Sequence, residues 1–171
     1  MTSSEHPFPN VDQLVANNEH YASRTDNSHL ASSPQRALAI VACMDARVDV
    51  PALLGLENGQ AHIIRNAGGI VTDDAIRSLC LSQRALGTRE IIVMHHTKCG
   101  LHNLDAAGLN AEIEAETGVR PQWSFEGFAD PHDDVRQSIR RLQLSPFVAH
   151  CDNISGFVYD VDTSRLEPVE L

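Results

Sequence analysis

The longest apolar run in the chain, residues 37–44 (ALAIVACM), is only one strand long and shows no polar alternation. A strand that is apolar at nearly every position is buried on both faces, as in the interior of a parallel sheet. Residues 61–66 (AHIIRN) and 90–95 (EIIVMH) predict a second and a third strand. Between these two, Ile76, Leu79, Cys80, Gln83 and Leu86 recur at helical spacing. Thr72, Asp73 and Asp74 precede them as a cap with favourable first-turn charges, and Gly87 closes the helix. Residues 104–117 and 133–142 predict further helices, the second with Arg136, Arg140 and Arg141 on a solvated face. Residues 154–161 (ISGFVYDV) and 165–169 predict a late strand and an edge strand around an Asp-Thr-Ser turn. Strands alternating with helices specify an α/β fold with a mostly parallel central sheet and flanking helices.

Upstream of this region the pattern changes. Residues 1–10 and 24–35 are polar and read as an arm and a loop, while Val11, Leu14, Val15 and Tyr21 fall on one helical face. A short amphipathic helix on a polar tether packs either on a neighbouring subunit or on its own core, and the pattern leaves both open. The expected organisation is an N-terminal arm and helix over 1–36 and one α/β domain over 37–171. No internal repeat or low-complexity segment is visible.

Composition narrows the function classes. The 171 residues carry 13 basic and 23 acidic side chains, a net charge of −10. Nucleic acid and anionic membranes both demand clustered Lys and Arg, so neither is expected as a partner. No apolar run is long enough to span a bilayer, and no basic segment followed by an apolar one opens the chain. The expectation is a soluble, cytoplasmic protein. Cys43, Cys80, Cys99 and Cys151 share no short pairing pattern, so they should be free thiols unless something ligates them.

Ligation is the stronger reading for two of them. The first strand runs into Cys43-Met44-Asp45-Ala46-Arg47 and the third into His95-His96-Thr97-Lys98-Cys99-Gly100. In open α/β sheets, sites form beyond the carboxyl ends of neighbouring parallel strands. Cys43, His96 and Cys99 would converge there, and two thiolates with an imidazole suit tetrahedral Zn²⁺, one per chain. His95 competes with His96, since alternation lets only one of them face the metal. Three protein ligands leave a fourth position for water, the arrangement of catalytic zinc. Asp45 could fill that position or accept a hydrogen bond from the water, and Arg47 suits a bidentate pair with Asp45. After the second strand comes Arg65-Asn66-Ala67-Gly68-Gly69, whose glycines either let backbone amides approach a small ligand or make a tight turn. Cys80 reads as core and Cys151 as inert; His62, His102, His132 and His150 read as surface or satisfied histidines.

Three motifs together, Cys43-x-Asp45-x-Arg47, Arg65-Asn66-Ala67-Gly68 and His96-x-x-Cys99-Gly100, resemble the β-class carbonic anhydrases of the small bacterial type. The resemblance runs from about Val11 to the last strand. It implies a parallel sheet extended by an antiparallel C-terminal edge strand, and a homodimer or homotetramer. It implies zinc on Cys43, His96 and Cys99, its spacing selecting His96 over His95, with Asp45 and Arg47 orienting or gating the fourth position. Gly68, Gly69 and Gly100 would face the substrate. The implied reaction is zinc-dependent hydration of carbon dioxide to bicarbonate by a metal-bound hydroxide. Carbonyl sulfide hydrolases and a carbon disulfide hydrolase share the fold and the metal motif, so hydrolysis of carbonyl sulfide is the alternative. An idle zinc-binding homologue is disfavoured, because neither Asp45 nor Arg47 is needed merely to hold zinc. Lys98, between the ligands, is assigned to neither activity.

Overall fold

The structure is a computed structural model that describes residues 11–171; the expected arm over residues 1–10 lies outside the described residues. The described chain divides into two compact units, one ending at Ala31 and one covering Ser32–Leu171. In the first, helix α1 (Val11–Ala22) carries Val11, Leu14, Val15 and Tyr21 exposed, with no buried residue.

The second unit is built on five strands: β1 (Leu38–Cys43), β2 (Ala61–Asn66), β3 (Glu90–His96), β4 (Ile154–Asp160) and β5 (Arg165–Pro168). Their spatial order is β2-β1-β3-β4-β5. All neighbouring pairs run parallel except β4 and β5, which are antiparallel, as the resemblance implies. β1 lies inside the sheet and every residue of it is buried, which accounts for its unbroken apolar sequence. β2 is an edge strand and only half-buried, which accounts for its mixed one.

Strand alternation sends Ala39, Val41, Ile91 and Val93 to one face of the sheet. There they pack with Leu79 of helix α3 (Asp73–Arg84) and with Val135, Ile139 and Leu142 of helix α5 (Pro131–Leu144). Leu38, Ile40, Ala42 and Met94 point to the other face and meet Val50, Leu53 and Leu54 of the short helix α2 (Val50–Leu54). Truncating a fully buried side chain such as Leu79 to alanine costs about 2–5 kcal/mol in such a core. Helix α4 (Ala106–Thr117) contributes no buried residue. Among the described residues, no helix is long and apolar enough to cross a membrane.

One helix, several element ends and one packing assignment differ from expectation. α2 went unread, although Asp49 caps it by accepting from the Ala52 N–H, Pro51 sits in its first turn and Gly55 ends it in the left-handed region. α5 begins at Pro131 because the Asp130 carboxylate accepts from the His132 and Asp133 amides, at 2.7 and 3.0 Å. β3 continues one residue further, to His96. Cys80 is not core: the buried residues of α3 are Ala75, Leu79, Ser82 and Gln83, so Leu79 and Gln83 of the expected stripe turn inward while Cys80 is only half-buried. The buried polar pair is satisfied. Gln83 accepts from the Ala149 and His150 amides and donates to the His150 carbonyl, while Ser82 bonds to His62 and Thr88. Cys80 instead lines an 820 Å³ groove between α3 and α5, with Ile76, Leu144 and Phe147.

Candidate metal centre

Two adjacent parallel strands end in donor residues, Cys43 at the end of β1 and His96 at the end of β3, and the turn after β3 delivers Cys99. One donor atom from each lies within 4.8 Å of the others, and all three residues are buried. The sulfurs of Cys43 and Cys99 are 3.9 Å apart. Two sulfurs at about 2.3 Å from a tetrahedral zinc would stand about 3.8 Å apart, so the pair has the span the ion requires. The His96 ring is set by its other nitrogen, since Nδ1 donates to the Thr97 carbonyl at 2.8 Å. That leaves Nε2 buried and without a hydrogen-bond partner, facing the sulfurs. A buried, unpartnered imidazole nitrogen beside two thiols fits a soft divalent cation and has no other evident purpose.

The protons of the site follow from the same geometry. The Cys99 thiol shares its hydrogen with Cys43, which favours the Cys43 thiolate and drives the Cys99 pKa up. Desolvation opposes charge on His96, but the Cys43 thiolate, the Thr97 carbonyl and, least, Asp45 outweigh it and raise the pKa of that ring.

Asp45 stands at the rim, its Oδ2 3.7 Å from His96 Nε2. It belongs to a closed pair: Oδ1 accepts from the Arg47 backbone amide and from Nε, both at 2.9 Å, and Oδ2 from Nη2 at 2.7 Å. Arg47 also donates to the Lys98 carbonyl at 3.0 Å, so the guanidinium ties the β1 turn to the loop that carries Cys99. The hydrogen bonds from Arg47 hold the Asp45 carboxyl well below the usual carboxylate range. The Lys98 side chain points elsewhere, paired with Asp162 at 2.6 Å.

The glycines fall into distinct environments. A Cβ on Gly69 would stand 2.8 Å from the Cys43 amide nitrogen and 3.0 Å from the Met94 carbonyl oxygen, so the turn after β2 lies against the backbones of β1 and β3. Gly68 faces Leu101 and Ile70, and Gly100 faces open space. Beside the sulfurs, Ile70 and Phe128 complete a buried apolar cluster on which Leu101 packs.

His95 points away from the donors, on the face of β3 shared with Ile91 and Val93. Its Nδ1 lies 3.3 Å from Asp134 Oδ2 of α5, and its ring packs against Phe128. Burial depresses the His95 pKa to about 4 and raises that of Asp134 to about 6, the latter with help from Glu126. His62, His102 and His132 also have partners, in Ser82, the Ala129 carbonyl and the carboxylates of Asp130 and Glu167. His150 contacts Arg89.

The role of Arg65 was not read from the sequence. Its Nε donates to the Cys43 carbonyl at 2.9 Å and its Nη2 to the Asp45 carbonyl at 2.7 Å, so one side chain from β2 braces both ends of the Cys43-x-Asp45 turn. The register that makes this possible pairs Cys43 with Asn66, the residue after Arg65. The groove between α3 and α5 lies on helices that carry none of these donors.

A family model described as carbonic anhydrase matches residues 38–123. Beta-carbonic anhydrase 1 of Mycobacterium tuberculosis is 51% identical over 93% of this chain and 97% of its own length. A carbon disulfide hydrolase of Saccharolobus solfataricus is 36% identical over 91% of this chain and 87% of its own. Among solved structures, the carbonic anhydrase from Streptococcus mutans superposes with a TM-score of 0.87 at 42% identity, covering 94% of this chain and 97% of that one.

Proposed function

The chain belongs to the β-carbonic anhydrase family and is a lyase of that kind, and we propose that it hydrates carbon dioxide to bicarbonate at a zinc ion held by Cys43, His96 and Cys99. The observation that carries the proposal is the Asp45–Arg47 pair, set 3.7 Å from His96 Nε2 yet outside the three-donor group. A site that only stored zinc would need no oriented carboxylate beside it.

Zinc bound there would acidify a water molecule and so supply the nucleophile, less strongly than zinc held by three neutral ligands. The protein's own part is orientation. Asp45, ionised because of Arg47, accepts a hydrogen bond from the attacking group and aims its lone pair at the substrate carbon. Arg47 holds that carboxylate in a fork of charge-assisted hydrogen bonds. Arg65 fixes the turn carrying both Cys43 and Asp45. Gly100, with open space beside it, leaves room for a neutral triatomic molecule, while Gly68 and Gly69 bring the apolar wall and the β2 turn close to the donors. Carbon dioxide and water then give bicarbonate and a proton. Released from Arg47, the same carboxylate, 3.7 Å from His96 Nε2, would be a candidate ligand for a zinc bound there and would then shut the site.

We also propose that the enzyme works as a homodimer or homotetramer. The support is α1, whose Val11, Leu14 and Val15 are exposed and offer an apolar strip to a second copy. All four cysteines are free, which suits a reducing compartment such as the cytoplasm.

Hydrolysis of carbonyl sulfide to carbon dioxide and hydrogen sulfide on the same residues is the second reading. Its support is the apolar cluster beside the donors, which accepts the less polar sulfur end of that molecule. Steady-state rates on both gases, from one zinc-loaded preparation, separate the two. Turnover of carbon dioxide well above that of carbonyl sulfide supports the first, and the reverse order supports the second.

A further inference from the structure

Carbon dioxide and its sulfur analogues are neutral and linear, with no hydrogen-bond donor. A site tells them apart by the width and lining of the space they enter, since shape rather than polarity separates them. Beside the three donors that lining is apolar. Ile70 and Phe128 are buried with Cys43 and Cys99, and Leu101 closes over the cluster half-buried.

The position of Leu101 is fixed from two sides. Its Cδ2 lies 2.7 Å from the point that a Cβ on Gly68 would occupy, and Ile70 Cγ1 lies 3.0 Å from the same point. Both branched side chains therefore fill volume that any other residue at position 68 would take, and the φ of +78° at Gly68 independently favours glycine. The backbone around Leu101 is pinned to the segment at Phe128. The Phe128 amide donates to the Leu101 carbonyl at 3.1 Å, and the Asn103 amide donates to the Phe128 carbonyl at 2.8 Å. Leu101 follows Cys99 by two residues, and Gly100 between them opens to free space. A large, held, apolar side chain thus packs on the cluster that contains two of the three donors, Cys43 and Cys99.

We propose that Leu101, seated on the bare face of Gly68 with Ile70, is the wall that sets how wide a linear neutral substrate can be at the Cys43–His96–Cys99 centre, and so divides carbon dioxide from carbonyl sulfide. This rests on the carbonic anhydrase reading of the site. Sulfur is larger than oxygen and its bond to carbon is longer, so the wall excludes the sulfur end before it hinders carbon dioxide. Apolar pockets separate ligands that differ by about one methylene by roughly 10- to 200-fold.

The test uses zinc-loaded protein with Leu101→Ala, Leu101→Val, Leu101→Met and Leu101→Phe, with metal content measured in each. The ratio of kcat/KM for carbonyl sulfide to that for carbon dioxide should rise about tenfold in Leu101→Ala and by less in Leu101→Val. It should stay near wild type in Leu101→Met and fall in Leu101→Phe. A second readout needs no turnover. Cyanate and thiocyanate are isoelectronic with carbon dioxide and carbonyl sulfide, and their binding to cobalt-substituted protein can be followed by visible absorption. Thiocyanate should gain on cyanate in Leu101→Ala and lose in Leu101→Phe. Both ratios staying within about twofold of wild type in metal-loaded Leu101→Ala and Leu101→Phe would overturn the proposal. If Leu101→Ala fails to load metal, unchanged ratios in Leu101→Val do so instead. Absence of turnover on either gas by the wild-type protein would refute the reading of the function, while the anion ratios still decide the wall.

Discussion

Asp45 and Arg47 grip each other through three hydrogen bonds, one from the backbone amide and two from the guanidinium, while Asp45 Oδ2 stays 3.7 Å from His96 Nε2. The carboxylate is thus parked beside the donors and restrained from joining them. Asp45→Ala and Arg47→Ala should both retain zinc and lose about 10²–10⁴ in kcat/KM for carbon dioxide, the usual cost of removing one positioned acid–base or orienting group. Arg47→Ala should also shift its activity towards alkaline pH, because the freed carboxylate competes for the open position. Wild-type kinetics across pH in both variants would show that the pair has no part in turnover.

Metal content offers an independent check of the donors. Cys43→Ser and Cys99→Ser should lose most of their zinc, since each removes one of three donors within 4.8 Å of one another. Cys80→Ser and Cys151→Ser should keep one zinc per chain, because neither residue is near the group. Full occupancy in Cys99→Ser, measured by elemental analysis after dialysis against a weak chelator, would break the assignment.

Which parts of this were legible in the sequence has a physical explanation. The strands of the sheet could be read because burial on two faces makes β1 apolar at every position, and the donors could be read because strand ends and short turns are local features. Arg65 was missed because its bonds to the Cys43 and Asp45 carbonyls depend on the register between β1 and β2, which pairs Cys43 with Asn66. Leu101 was missed because its contact with Gly68 joins two loops that are distant in sequence. Cys80 fits the stripe by spacing, yet α3 buries Leu79, Gln83 and the off-stripe Ser82 and leaves Cys80 half-buried, with Ser82 and Gln83 bonded to neighbouring loops. Helix phase is set by what the partner surface offers, and spacing alone does not contain it.

His95 and Asp134 should give the protein an opposed pair of pH dependences. The folded pKa of His95 lies at about 4, below its ordinary value, so unfolding takes up a proton and its contribution makes stability rise between pH 4 and 6.5. Asp134 is raised to about 6, so unfolding releases a proton and its contribution makes stability fall from about pH 4 to 6. The two contributions oppose each other and largely cancel, each on the order of 3 kcal/mol before relaxation. Asp134→Asn should therefore rise in stability across that window more steeply than wild type, and His95→Gln should fall. Urea denaturation at pH 4.5 and 6.5 decides it, and parallel pH profiles in all three proteins would contradict the buried pairing.

Self-association should depend on α1. Sedimentation of the full chain at micromolar concentration should show a dimer or larger species, and Leu14→Glu with Val15→Glu should weaken it, since those side chains are exposed in the single chain. A fully active wild-type monomer under the same conditions would refute the assembly.

The most direct test of the whole account is a zinc titration of metal-stripped protein, with carbon dioxide hydration followed by stopped flow at each addition. The rate should be indistinguishable from the uncatalysed one without zinc, should climb in proportion to bound zinc, and should level off at one ion per chain. A protein that binds one zinc through Cys43, His96 and Cys99 and still hydrates carbon dioxide no faster than buffer would contradict it.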